Sequence, residues 1–283
     1  MNAIAPLARA LRRLNPSAQL ALLVVAITLV VALFPAAFAT ADPYTLDLPN
    51  RLLPPDRDHI FGTDNYGRDV FSRVLHGARY SLFTALVVVA FGLTLGCAVG
   101  VSAAASGGWF DEILMRLTDV VLAFPPILLA MVVVTALKPS LEVTMLTLVL
   151  IGWPEYARVM RAQALVVLSR EFVLAARALG IGPLALLTRH VLPNALPPLI
   201  VLASLNLGIV ILSLAALGFL GLGAGQPTPE WGRMVSDGRD YFLDSWWYPV
   251  YPGLAIALLT LAFNILGDTL RDILDPTTRR ESS

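Results

Sequence analysis

The chain has 283 residues, of which 57% are hydrophobic and only 14% are charged. Soluble domains have about 25% charged residues, so this composition indicates a polytopic membrane protein. The formal net charge is zero, which excludes the basic surplus typical of nucleic-acid-binding proteins. The single cysteine, Cys97, excludes a disulfide within the chain.

Long apolar runs predict six membrane-spanning helices, because a helix needs about twenty apolar residues to cross the hydrocarbon core. The predicted spans are Ala18–Ala39, Tyr80–Ala105, Leu117–Leu137, Leu141–Ala157, Leu196–Leu222 and Trp247–Gly267. The first run ends in small residues that resemble a signal-peptide cleavage site, but its length favours an uncleaved anchor. In the third span, Pro125 and Pro126 predict a kink or an interruption.

The distribution of charge predicts the orientation of these spans. Arg9, Arg12 and Arg13 precede the first span without any acidic residue, so the positive-inside bias places the N-terminus in the cytoplasm. Six crossings return the C-terminus to the same side. The predicted organisation is a cytoplasmic N-terminus (1–17), an anchor span (18–39), an extracytoplasmic segment (40–79), a core of five spans (80–270) and a cytoplasmic C-terminus (271–283). The segment 40–79 is rich in turn residues and predicts an amphipathic surface helix from about Gly67.

A polar loop at residues 155–195 separates the fourth and fifth spans and is predicted to be cytoplasmic. Its charged residues are Glu155, Arg158, Arg161, Arg170, Glu171, Arg177 and Arg189. A first short helix is predicted at Arg170–Leu179, with Gly180 and Gly182 as its C-terminal caps. A second is predicted at Leu184–Val191, ended by Pro193.

The first of these helices has a face of small and apolar residues. Phe172, Ala175, Ala176 and Leu179 share it by their spacing of three and four residues. Small residues allow a partner backbone to approach closely, and Glu171 and Arg177 at the edge can fix the register by charge. The pattern is typical of a helix that docks in a groove of a partner, although packing on its own bundle is an alternative.

The loop resembles a known sequence family. Glu171–Gly180, followed by Arg189–Asn194, is similar to the EAA loop of binding-protein-dependent ABC importer permeases. Further blocks resemble the second permease of the dipeptide/oligopeptide/nickel branch: Phe61–Arg73, Gly218–Gly223, Pro229–Gly232, Gly238–Tyr241 and Asn264–Pro276. Two positions depart from the general pattern, because Leu174 replaces an acidic residue and His190 an isoleucine. Both departures are usual for this branch.

The resemblance implies an all-α polytopic membrane protein of the type I ABC importer permease class, with six transmembrane helices and a cytoplasmic coupling helix. The implied function is that of a permease subunit, forming half of the pathway for peptides or a related small solute, with nickel or a metal chelate as the alternative cargo. The implied location is a bacterial inner membrane. Implied partners are a second homologous permease, two ATPase subunits, an extracytoplasmic binding protein and membrane lipid.

The resemblance also implies that ATP and Mg²⁺ are bound by the ATPase subunits, so no cofactor, catalytic residue or metal site is expected in this chain. The sequence agrees, because its only lysine, Lys138, is followed by proline and cannot end a phosphate-binding loop. The ATPase-coupling residues carried over are Glu171, Ala175, Ala176, Gly180 and Pro193, and the charge pattern adds Arg177.

A gate or pathway is predicted around the fifth span. The candidates are Gly221 and Gly223 in a glycine-rich segment at its outer end, and Asn206 within it. Close helix packing and interhelical hydrogen bonding are the alternative explanations for these residues. A stand-alone secondary transporter would need mid-span carboxylates and internal symmetry. An intramembrane enzyme would need a zinc or nucleophile motif. Neither pattern is evident.

Overall fold

The computed structural model describes residues 15–274, and within that range the chain forms helices, turns and one isolated bridge between Thr63 and Asp69. The helices are α1 (Pro16–Leu33), α2 (Pro35–Phe38), α3 (Val70–Ser106), α4 (Gly108–Leu122), α5 (Pro126–Leu137), α6 (Leu141–Leu168), α7 (Glu171–Ala178), α8 (Pro183–Leu186), α9 (Leu192–Ala195), α10 (Pro197–Phe219), α11 (Trp231–Gly238) and α12 (Trp247–Leu274). The all-α prediction is confirmed. The arginines used to orient the N-terminus lie outside the described residues, as do residues 275–283.

Four of these helices, α1, α3, α10 and α12, are long and apolar enough to cross a membrane. Helices α4 and α5 qualify together as a pair bent by 86°. The described residues therefore contain four spans by length and composition, or five if the bent pair is one span, and the predicted count of six is not fully reproduced. The break falls just before Pro126, which confirms the interruption predicted from the two prolines.

Helix α6 differs from the predicted fourth span because it continues eleven residues past Ala157, to Leu168. Its second half carries Arg158 and Arg161, whose charges are paired with aspartates of α4. The residues predicted to begin a polar loop at 155 are therefore the last turns of a 28-residue helix.

Helix α3 includes most of the residues that were predicted to form a separate surface helix, so that prediction is wrong. Its 37 residues extend about 55 Å, well beyond a hydrocarbon core of about 30 Å. Asp69 caps its start by accepting the N–H of Ser72 at 2.8 Å. No separate surface helix exists at residues 67–79 because Val70 and Val74 are buried against Trp231 and other residues of the same chain.

Helices α3 and α6 pack with their backbones in contact along a stripe of three glycines, Gly92, Gly96 and Gly100. A Cβ atom added at Gly96 would lie 2.7 Å from the carbonyl oxygen of Trp153, and one at Gly100 would lie 2.8 Å from the Cβ of Met160. Small residues four positions apart permit this approach between membrane helices. The stripe joins α3 to the helix that leads into the loop.

The segment before α3 closes one end of the bundle around a buried ion pair. Asp64 is fully buried and accepts a hydrogen bond from Nε of Arg68 at 2.6 Å. Nearby, Phe61 stacks on Tyr251 of α12, with ring centroids 3.8 Å apart. The segment is thereby anchored to the starts of α3 and α12.

Candidate functional site

Helix α7 ends in a tight glycine cap at Gly180. This residue has a φ of +81°, its N–H bonds the carbonyl of Arg177 at 3.0 Å, and the N–H of Ile181 bonds the carbonyl of Ala176 at 3.2 Å. These two bonds form a Schellman motif, in which glycine is preferred because its φ is positive. Gly182 instead precedes the first turn of α8, so its predicted role as a second C-terminal cap is wrong.

The second predicted helix of the loop is also more complex. It consists of α8, a π-helical turn at Leu187–Val191 and then α9. Pro193 occupies the second position of α9, which directly follows the π-helical turn. The helical path therefore continues past Pro193, and the prediction that this proline ends it is wrong.

The inner face of the loop packs on the transmembrane bundle. Val173 and Ala176 of α7 are buried in one cluster with Met160 and Ala164 of α6. The predicted face of Phe172, Ala175, Ala176 and Leu179 is thus divided, because Ala176 points into its own bundle while the other three are exposed. Ala176 packs α7 against α6 and is buried within the chain.

The outer face carries large apolar side chains. We call Phe172, Leu174, Leu179 and Leu184 the docking patch; Leu179 is 84% exposed and Leu184 75% exposed. Glu171, Ala175 and Arg177 are also exposed on α7. Large exposed apolar side chains bordered by charge are typical of an interaction surface.

Two of the loop's five arginines are bound within the chain. Arg161 makes a bidentate pair with Asp111, from Nε to Oδ1 and from Nη2 to Oδ2, each at 2.6 Å. Arg158 pairs with Asp119. Both pairs connect α6 to α4.

Asn206, a candidate for the pathway, is 7% exposed. Its Nδ2 donates to Oε2 of Glu155 at 3.1 Å, which connects α10 to α6. This geometry matches the interhelical hydrogen bond that was the alternative explanation.

The other two gate candidates end α10. Gly221 has a φ of +79°, and its N–H bonds the carbonyl of Gly218 at 3.0 Å. The N–H of Leu222 bonds the carbonyl of Leu217 at 2.8 Å, so the motif is the one found at Gly180. Gly223 folds back against Gly218, where an added Cβ would lie 2.9 Å from the Gly218 Cα.

Gly218 and Gly223 border the carboxylate of Glu230, a residue that the sequence analysis did not single out. Its side chain is fully buried, and its two oxygens accept the N–H groups of Gly232 and Arg233, each at 2.8 Å. Burial raises the pKa of Glu230 to about 7, although both N–H groups and the Arg233 charge act in the opposite direction. An acidic residue just before a helix is a capping signal that could have identified it.

The guanidinium of Arg233 is itself held by Asp237, from Nε to Oδ1 at 2.8 Å. A Cβ at Gly218 would collide with the Glu230 carboxylate. Glu230 thus joins the end of α10 to the start of α11, and the site around its carboxylate has no space for an added side-chain atom at Gly218. Within residues 15–274, no group of three or more His, Cys, Asp or Glu residues could hold a metal ion.

Comparison with known sequences gives consistent matches along the chain. Residues 92–280 match the family described as binding-protein-dependent transport system inner membrane component. The chain is 46% identical to the probable D,D-dipeptide transport system permease protein DdpC of Escherichia coli, over 93% of this chain and 88% of that protein. It is 40% identical to the dipeptide transport system permease protein DppC of Alkalihalophilus pseudofirmus, over 97% and 91%. It is also 40% identical to the nickel transport system permease protein NikC of Escherichia coli, over 92% and 94%.

Among solved structures, the chain is similar to the inward-facing MetNI methionine ABC transporter. The TM-score is 0.59 at 20% identity, and the match covers 72% of this chain and 96% of that chain. At this identity the likeness establishes a shared fold.

Proposed function

Because the chain belongs to the binding-protein-dependent transport inner membrane components, as a permease subunit of the ABC peptide and nickel importers, we propose that it forms half of the pathway of an importer for short peptides. The choice of peptides as the cargo rests on two relatives named for dipeptide transport. They are 46% and 40% identical to this chain over more than nine-tenths of its length.

The docking patch is the surface through which ATP hydrolysis acts. Leu179 and Leu184 present apolar area to an ATPase subunit, while Glu171 and Arg177 set the register by charge. The opposite face of α7 is buried on α6, so the loop moves with the bundle when the ATPase subunit moves. Buried packing on one side and exposed apolar side chains on the other support the role of a lever.

The partners in this proposal are two ATPase subunits, a second homologous permease and an extracytoplasmic substrate-binding protein. ATP and Mg²⁺ are bound by the ATPase subunits, and this chain holds no cofactor. The complex lies in a bacterial inner membrane, with both termini of this chain and the loop α7–α9 in the cytoplasm. The surplus of arginine over acidic residues in residues 155–195 supports this orientation.

Nickel or a metal chelate is the second candidate cargo, because the relative named for nickel transport is 40% identical over 92% of the chain. The two candidate cargoes can be distinguished by identifying the ligand of the binding protein, because that protein selects which solute reaches the permease.

The test uses the complete complex reconstituted in lipid vesicles with its co-encoded binding protein. ATP-dependent uptake is measured for a labelled dipeptide and, in parallel, for radioactive nickel. We expect peptide uptake that requires both ATP and the binding protein. Uptake of nickel without uptake of peptide would establish the second candidate, and uptake by the isolated chain would refute the subunit role.

A further inference from the structure

Two arginines beside the start of α3 share one buried carboxylate. Arg68 is 2% exposed and Arg73 is 1% exposed, while Asp64 is fully buried. Nε of Arg68 donates to Oδ2 of Asp64 at 2.6 Å. Nε of Arg73 lies 3.5 Å from the same oxygen, beyond the usual length of a hydrogen bond. The three side chains therefore form a buried cluster with two positive charges and one negative charge.

Asp64 is bonded to its own turn and to Arg68, and two donors of the arginines remain unpaired. Its Oδ1 accepts the N–H groups of Tyr66 at 2.8 Å and of Arg68 at 3.0 Å. Nη2 of Arg68 and Nε of Arg73 are buried and have no hydrogen-bond partner within residues 15–274. Folded proteins rarely leave such donors unpaired, because a buried donor without an acceptor has lost its hydrogen bonds to water.

The neighbouring carboxylates are engaged with other groups and do not balance the second arginine. Asp69 bonds Nδ1 of His59 at 3.0 Å. Asp237, whose charge also acts on Arg73, is bound to Nε of Arg233 at 2.8 Å. An unbalanced charge with unpaired donors is unfavourable in a protein interior, so the cluster is incomplete without a further group.

The chemistry of the two unpaired donors identifies the class of ligand. Both are N–H groups of positively charged guanidinium groups, so the ligand must accept hydrogen bonds and carry one negative charge. Water meets only the first requirement, and a metal cation meets neither. Because both guanidinium groups approach Oδ2 of Asp64, one small ligand can reach both donors. The low exposure of Arg68 and Arg73 excludes the carboxylate or phosphate of a larger molecule, which leaves a monatomic anion.

We propose that Arg68 and Arg73 bind a chloride ion, which accepts hydrogen bonds from Nη2 of Arg68 and Nε of Arg73. The ion balances the second positive charge and fixes the guanidinium of Arg73. Nη1 of Arg73 donates to the carbonyl of Pro43 at 2.8 Å and to that of Pro227 at 3.3 Å. The chloride therefore stabilises the contact of α3 with the segment before it and with the segment that joins α10 to α11. This structural role is independent of the transported cargo.

The first test locates the ion directly. The complete transporter is crystallised in sodium bromide, and anomalous scattering at the bromine absorption edge distinguishes bromide from water. We expect a bromide peak within hydrogen-bonding distance of Nη2 of Arg68 and Nε of Arg73. Density at this position without an anomalous signal would identify a bound water and overturn the proposal, and so would the absence of density.

The second test measures thermal unfolding of the complete complex in sodium chloride and in sodium gluconate at equal concentration, which keeps the ionic strength the same. We expect the unfolding temperature to be about 2–4 °C higher in chloride, because an ion that binds only the folded state stabilises it. Arg73→Gln removes the unbalanced charge, keeps the pair of Asp64 with Arg68 and should abolish the difference. The control Arg239→Gln, at a side chain that is 59% exposed, should retain it.

The two tests together decide the proposal. A bromide peak with equal unfolding temperatures in the two salts would indicate an adventitious ion only. The same chloride dependence in the wild type and in Arg73→Gln would place the effect elsewhere in the complex. If Arg73→Gln does not assemble, the bromide map and the wild-type comparison decide. Uptake is not measured in either test, so a negative result here leaves the proposed function unaffected.

Discussion

The buried carboxylate of Glu230 should make the stability of this permease depend on pH. Its pKa is raised from 4.5 to about 7 by burial, a difference of 2.5 units. At 1.36 kcal/mol per unit this corresponds to about 3 kcal/mol. Because the folded chain binds the proton more tightly than the unfolded chain, this stability is fully present below pH 4.5 and is lost as the pH rises through about 7.

The perturbation is Glu230→Gln, which keeps the shape of the side chain and removes its charge. We expect thermal unfolding of the purified complex to shift downward as the pH rises from about 5 to about 8, and the shift to be much smaller in the variant. The control is Asp240→Asn, which also removes one carboxylate, from a side chain that is 78% exposed. The control should retain the wild-type dependence.

Arg233 is the charged residue that acts on Glu230, and its guanidinium is already held by Asp237. Histidines elsewhere titrate in the same range, but they are present in all three proteins and cancel in the comparison. If Glu230→Gln and the wild type lose stability in parallel with rising pH, Glu230 is not the source.

Three further predictions concern coupling and packing. Gly180→Val should reduce uptake per ATP hydrolysed while leaving insertion intact, because a side chain at φ +81° strains the cap by about 1–2 kcal/mol and displaces the docking patch; uptake and hydrolysis are measured together in vesicles. Gly96→Leu should destabilise the chain by about 1–3 kcal/mol in detergent, because the added side chain would overlap α6. The isolated chain should neither hydrolyse ATP nor transport.

Each glycine has a matched control in the chain. Gly107 also has a positive φ of 61° and open space around its missing Cβ, but it lies outside the loop, so Gly107→Val should leave coupling unchanged. Gly152 lies on α6 with nothing within 4 Å of an added Cβ, and Gly152→Leu should be tolerated. If Gly180→Val has normal uptake per ATP hydrolysed, the loop does not act as a lever. If Gly96→Leu and Gly152→Leu lose the same amount of stability, the backbone contact between α3 and α6 is not the cause.

Several features that depend on residues close together in the sequence were predictable. The adjacent prolines Pro125 and Pro126 interrupt the helix where the sequence predicted it, and Gly180 adopts the positive φ that ends α7. The glycine stripe of α3 was also readable as a packing signal, because Gly92, Gly96 and Gly100 recur every four residues.

Contacts between residues that are far apart in the sequence were not predictable. The apolar periodicity of Val70 and Val74 is the same whether that face contacts lipid or Trp231. The sequence pattern therefore could not distinguish a surface helix from a helix buried in the bundle. Periodicity likewise shows which residues of α7 share a face but not which face is inward. The Arg161–Asp111 pair joins positions fifty residues apart, and no local pattern marks it.

The contacts of α6 explain how a movement of the loop can reach the membrane helices. The loop is fixed to α6 by the buried side chains of Val173 and Ala176. Helix α6 is fixed to α3 by backbone contact along the glycine stripe, to α4 by two ion pairs and to α10 by the Glu155–Asn206 hydrogen bond. Close-packed contacts transmit displacement because they cannot be compressed. A push on the docking patch therefore moves α6 together with the helices bound to it, and we infer that α6 is the element through which the ATPase subunit acts on the pathway.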